Sequence, residues 1–217
     1  MSSKENKIVI DHMNKTVERF YSIEDERLGM KHFRYVMDDY FAADESIKCC
    51  GNVSSVSADG VYALWVTTEN SDPKKRILYF HGGGYVIGSV RGYLPLASHL
   101  AKATGASVLL IDYRLSPENT FPAAVEDAKT AYNWMLGNGP EGEQRFEKAF
   151  IAGDSAGGGL SVATALALKD DKGILPNAII PISPWAEMNP LSQSYEDNKD
   201  IDPFVSRDGI AWFASVY

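Results

Sequence analysis

The pattern of apolar and polar positions changes character twice along this chain. In the first forty residues the spacing is helical: Val9, Met13, Thr16, Val17 and Phe20 recur along one run, which Gly29 breaks. Met30, Phe33, Met37, Tyr40 and Phe41 form a second stripe. "VYALWVTT", Val61–Thr68, then has the β-branched and aromatic content of a strand, and "SADG" and "ENSDPKK" beside it carry turn chemistry.

From Arg76 the chain predicts strands alternating with helices. "RILYF" is a strand, Tyr93–Thr104 a helix ended by Gly105, and "SVLLID" the next strand. Pro122 opens a helix in which Val125, Ala128, Ala131, Tyr132 and Met135 share a face. Glu126 and Asp127 fall in its first turn, where carboxylates suit the helix dipole. "KAFIAG" is a strand, Ser155–Lys169 a helix, and "NAIIPIS" another strand. After Trp185 the chain turns polar, and "RDGIAWFASVY" reads as the start of a helix. This alternation predicts an α/β fold with a mostly parallel sheet covered by helices on both faces.

The 217 residues, 45% hydrophobic, suffice for one sizeable globular domain, or one and a piece. A net charge of -8 argues against nucleic acid and anionic membrane surfaces as partners. No apolar run approaches the roughly 18 residues of a membrane span. "MSSKENK" has no apolar segment behind it of the kind a signal peptide carries. Cys49 and Cys50 are the only cysteines, which excludes a disulfide framework and favours a reducing compartment, so a cytoplasmic location is expected. Two idle thiols are the plain reading of the pair; a redox role is the alternative.

Two glycine-rich turns fall at the carboxyl ends of strands, where open α/β sheets collect their ligands. One is "HGGG", His81–Gly84; the other is "GDSAGG", Gly153–Gly158. The second holds G-x-S-x-G between a strand and a helix, the context that makes Ser155 a candidate nucleophile on a sharp elbow. Five residues alone are a weak signal. An HGGG-type turn two strands upstream strengthens it, because such loops donate to oxyanions in lipases and esterases. The candidate oxyanion donors are the backbone N–H groups of Gly83, Gly84 and Ala156. His81, just before the glycines, suits a loop-bracing hydrogen bond better than base catalysis. Asp154, beside the serine, reads as structural or solvent-facing rather than as a triad acid. A phosphate-binding reading fits poorly: Gly82, Gly84 and Gly88 give G-x-G-x-x-x-G, no G-x-x-x-x-G-K-[ST] exists, and "GDSAGG" is left unexplained.

"HGGGYVIGS", "DYRLSPENTFPAAVEDA" and "GDSAGGGLS", in that order, resemble the hormone-sensitive-lipase-like branch of the α/β-hydrolases, the bacterial family IV esterases. The resemblance spans about Arg76 to Pro184. It implies a serine carboxylesterase for short- to medium-chain acyl esters, with no metal or cofactor. It also implies an organisation: a helical cap segment (1–45), an incomplete hydrolase core lacking its last strands (46–184) and a second cap segment (185–217). Phe20, Phe33, Tyr40 and Phe41 would then line or cover the acyl pocket, or simply pack their helices.

One departure stands out. The family's triad runs Ser, acid, His along the chain. All four histidines here, His12, His32, His81 and His99, precede Ser155, while Asp197, Asp200, Asp202 and Asp208 fall in the expected cap. Two readings follow. The chain is a fragment whose missing part brings the acid, the base and the closing strands, or it is a short form that binds a small molecule without turning it over. The apolar run "AWFASVY" at its end favours the first. The expected partners are an ester substrate and either a second copy of the chain or the missing C-terminal fragment. A nucleotide-dependent oxidoreductase is disfavoured by the glycine spacing.

Overall fold

The computed structural model describes residues 3–21, 29–42, 49–202 and 204–217. Its centre is a six-stranded sheet in the order β1-β2-β4-β3-β7-β8. The strands are β1 (Asn52–Ala58), β2 (Val61–Thr67), β3 (Asp72–Phe80), β4 (Ala106–Ile111), β7 (Lys148–Asp154) and β8 (Ala178–Ile182). β4, β3, β7 and β8 run parallel; β1 and β2 join antiparallel. A two-stranded ribbon of β5 (Asn138–Gly139) and β6 (Gly142–Glu143) stands apart.

Helices cover both faces, as the alternation predicts. α4 (Ala123–Gly137) and α5 (Ala156–Asp170) enclose one core with Leu78, Phe80, Leu109, Ile111 and Ile151. α3 (Val90–Thr104) closes the other over Val66, Ile77, Tyr79, Val108 and Leu110. Because Ile77–Phe80 of β3 and Val108–Ile111 of β4 are buried on both faces, these stretches are continuously apolar rather than alternating. α1 (Lys4–Tyr21) packs on α2 (Gly29–Phe41), and α2 on α3. The short α6 (Ser194–Asp197) and then α7 (Arg207–Val216) end the chain. Among the described residues, no helix is long and apolar enough to cross a membrane.

Several boundaries differ from the sequence reading. β1 was not anticipated: serines fill it and most of it is exposed, so it is ordered by its pairing with β2 rather than by burial. β3 begins at Asp72, four residues before Arg76. α3 begins at Val90, not Tyr93, because the Ser89 hydroxyl caps it by accepting from the N–H groups of Arg91 and Gly92. Pro122 is the N-cap of α4 rather than its first residue. Gly29 opens α2 instead of merely breaking a run. The boundary proposed near residue 45, and the side chains of Thr16, Val17, Phe20 and Tyr40, lie outside what the structure describes.

The parallel register positions the site. Phe80 lies beside Ile111 on one side and Gly153 on the other. The turns after β3, β4 and β7 therefore emerge together at one edge of the sheet.

Candidate active site

Ser155 sits between β7 and α5 with φ 52° and ψ -118°, a backbone conformation that costs a non-glycine residue about 1–3 kcal/mol. Its backbone is pinned on both sides. The Ser155 N–H donates to Ile182 O (3.0 Å), and its carbonyl accepts from Trp185 (2.8 Å) and Gly159 (3.0 Å). The side chain is exposed, and its hydroxyl has no hydrogen-bond partner among the described residues. The flanking glycines let backbone pass close: a Cβ on Gly153 or Gly157 would strike the Phe80 carbonyl, and one on Gly159 the Trp185 carbonyl. This is the geometry of a strained elbow that lifts a serine into the open.

The HGGG turn lies across from it, and each glycine answers to a different neighbour. A side chain on Gly82 would collide with the Asp154 carboxylate and the Tyr93 hydroxyl. One on Gly83 (φ 116°) would meet the Ile87 carbonyl, and one on Gly84 (φ 60°) the ring of Phe213. The Gly83 carbonyl accepts from Val86 (3.0 Å) and Ile87 (2.9 Å), which fixes the turn. Among the described residues, the N–H groups of Gly83 and Gly84 have no acceptor. Ala156, buried, opens α5, so its N–H is one of the first-turn donors without an intrahelical partner.

Ser155, Gly83 and Gly84 line one cavity of about 400 Å³. Its other walls are mostly apolar and come from three parts of the chain. Phe33, Met37 and Phe41 belong to α2, Tyr93 and Trp185 to the core, and Phe204, Ile210 and Phe213 to the C-terminal segment. Two of the four aromatics singled out in the sequence, Phe33 and Phe41, thus reach the cavity.

His81 does not. It is fully buried, stacks on Tyr113, and its Nδ1 lies 2.7 Å from the Gly82 carbonyl. A carbonyl only accepts, so Nδ1 carries the proton. Burial pulls its pKa down to about 4, so the ring is neutral at pH 7 and braces the turn. None of the four histidines lines the cavity, and among the described residues no cluster of three metal-ligating side chains exists. Both cysteines are free thiols.

Asp154 has a definite structural role. Its carboxylate accepts from the hydroxyls of Tyr79 (2.9 Å) and Tyr93 (2.9 Å) and packs closely on Gly82. Burial raises its pKa, against the opposing pull of these donors. The sequence reading missed Tyr79 and Tyr93. The available signal was a hydroxyl-bearing tyrosine in an otherwise non-polar strand end, two residues before the histidine.

Elbow, glycine turn and sheet order define the class. Residues 77–217 match the family described as alpha/beta hydrolase fold, and the chain belongs to it. Within that family it falls in the hormone-sensitive-lipase-like branch, alongside bacterial esterases. It is 42% identical over 153 residues to an acetyl-hydrolase of Streptomyces hygroscopicus, covering 68% of this chain and 49% of that protein. It is 31% identical over 156 residues to hormone-sensitive lipase of Homo sapiens, covering 71% of this chain and 14% of the lipase. A solved esterase from the bacterial hormone-sensitive lipase family superposes with a TM-score of 0.86 at 33% identity, over all of this chain and 69% of that one. The chain spans about half the length of the first curated relatives it matches.

Proposed function

We propose that this chain carries the nucleophile and oxyanion hole of a serine carboxylesterase acting on short- to medium-chain acyl esters. The observation that carries the reading is the shared cavity: an exposed serine on a strained elbow and the unpartnered amides of Gly83 and Gly84 line the same apolar space. The Ser155 oxygen attacks the ester carbonyl. The developing oxyanion is held by the N–H groups of Gly83, Gly84 and Ala156, each donor contributing about 2.7–4 kcal/mol. Collapse expels the alcohol and leaves an acyl-enzyme, which water then hydrolyses. Residues 1–45 and 185–217 act as cap segments over the acyl group. No cofactor enters these steps.

The proton relay is assigned to an acid and a histidine outside these 217 residues. Supporting this are the position of all four histidines away from the cavity and the family order of nucleophile, acid, histidine. The 217-residue polypeptide by itself is then expected to turn over esters about 10⁶-fold more slowly than a complete triad.

An alkyl fluorophosphonate, applied to the longer protein that supplies the acid and the histidine, tests the nucleophile directly, since serine displaces fluoride from phosphorus and gains mass. We expect one adduct, mapped to Ser155 and absent in Ser155→Ala. Saturable binding of an ester with no adduct at Ser155 would overturn the nucleophile and establish a ligand-binding protein instead. Rapid ester turnover by the 217 residues, abolished in Ser155→Ala, would overturn the placement of the relay.

A further inference from the structure

The acid beside the nucleophile has more donors than a bystander needs. Tyr79 comes from β3, the strand that delivers the HGGG turn. Tyr93 comes from α3, the helix that follows that turn. Gly82 belongs to the turn itself and lies against the same carboxylate. A carboxylate is acceptor-only, so all of these donors are satisfied together only while Asp154 is ionised. Tyr113 is the other titratable group close enough to feel its charge. Among the described residues no Lys, Arg or His forms an ion pair with it.

The arrangement also explains the first glycine of the motif. Gly82 must lack a Cβ for the Asp154 carboxylate and the Tyr93 hydroxyl to lie where they do. The next two amides, Gly83 and Gly84, are left without acceptors. Asp154 is the last residue of β7, so its bonds to Tyr79 and Tyr93, on either side of the oxyanion turn, and its close packing on Gly82 tie that turn to the residue preceding Ser155.

We infer that Asp154 is a positioning residue whose carboxylate clamps the Gly82–Gly84 turn to the elbow at Ser155, holding the Gly83 and Gly84 amides where an oxyanion forms. The inference rests on the reading of Ser155 as nucleophile, and it adds a way for pH to regulate the same site. Protonation of Asp154 puts an O–H where a donor already points and releases the turn. Burial raises the pKa of this acid, which moves the release to higher pH than for an exposed aspartate. Removing one donor makes the ionised form less favourable and moves the release to higher pH.

The test has two arms. In the first, amide hydrogen exchange of the segment 81–88 is followed by mass spectrometry at pH 7 in wild type, Asp154→Asn and Tyr93→Phe. The clamp predicts exchange at least about tenfold faster in Asp154→Asn, with far-UV circular dichroism unchanged. In the second, the rate of fluorophosphonate labelling at Ser155 is measured against pH in the longer protein that supplies the acid and the histidine. Loosening the amides is expected to slow labelling by about tenfold or more, since loss of a single oxyanion donor costs 10²–10³. The acid limb of the rate is expected to move to higher pH in Tyr93→Phe, a displacement that a purely structural tyrosine would not produce. Should Asp154→Asn prove unable to fold, Tyr93→Phe decides alone by its exchange and its pH limb. Wild-type exchange and an unmoved limb in both variants overturn the clamp while leaving Ser155 as nucleophile. Failure of wild type to label at Ser155 overturns the nucleophile instead, and the exchange arm still decides the clamp.

Discussion

Tyr113 lies flat against His81, with ring centroids 4.3 Å apart and planes 15° from parallel, and its hydroxyl donates to the His81 carbonyl at 2.7 Å. The pair roots the glycine turn in the core. It also fixes the protonation of His81, whose pKa burial lowers to about 4 against about 6.5 in an unfolded chain.

Between those two values the unfolded chain binds more protons than the folded one. The stability that neutral His81 contributes is therefore present above pH 6.5 and lost as pH falls towards 4. We expect a loss of up to about 3 kcal/mol from this group. Urea unfolding of wild type and His81→Asn across pH 4–7 checks it: the gap between the two should narrow as pH falls, and a constant gap contradicts the assignment.

Strain at Ser155 is a second measurable quantity. With φ at 52° and ψ at -118°, the position favours glycine on conformational grounds alone. Ser155→Gly should abolish labelling and turnover yet raise stability by about 1–3 kcal/mol. Thermal melts of the two proteins decide it, with a lower melting temperature for the glycine variant as the contrary result.

Gly83→Ala and Gly84→Ala should fail differently. At Gly83 the new Cβ meets the Ile87 backbone, which cannot give way, so we expect a loss of at least about 2 kcal/mol and a collapsed oxyanion site. At Gly84 the obstacle is the Phe213 ring on α7. Shortening that ring in Gly84→Ala/Phe213→Ala should recover part of the loss, whereas Phe213→Ala should not help Gly83→Ala. Double-mutant unfolding measurements read this coupling directly.

Arg76 is wholly buried, and its guanidinium donates to the carbonyls of Pro73, Met135, Leu136 and Gln144. It caps the C-terminal end of α4, where a cation complements the helix dipole. Arg76→Ala should cost about 3–5 kcal/mol by leaving those acceptors unpaired. Arg76→Lys should restore little, because an ammonium cannot reach four carbonyls as a planar fork does. Denaturant midpoints of the three proteins provide the check.

The parallel core was legible because Ile77–Phe80 and Val108–Ile111 are buried on both faces, and such strands announce themselves as unbroken apolar runs. β1 was not legible: with serines at 54, 55 and 57, its order comes from the ladder to β2, including Val53 opposite Val66, and no local window contains that partner. The serine elbow was readable because it needs its glycines within five residues. The Asp154 network was not, since Tyr79 and Tyr93 lie 75 and 61 positions away and only the folded sheet brings them in. The cavity wall shows the same limit, with Phe41 and Phe213 arriving from opposite ends of the chain.

β8 forms the outer rim of the sheet, with Ile180 and Ile182 each nearly half exposed. Leu166 and Leu175, also exposed, lie close by and border a shared apolar hollow with Ile179. Pro181 interrupts the rim at one point, since it has no N–H to offer. Elsewhere the rim presents edge-strand backbone groups on which an extended segment can pair. Purified on its own, this polypeptide should keep only in dilute solution, and turbidity rising steeply with concentration would be the first sign of that fringe at work.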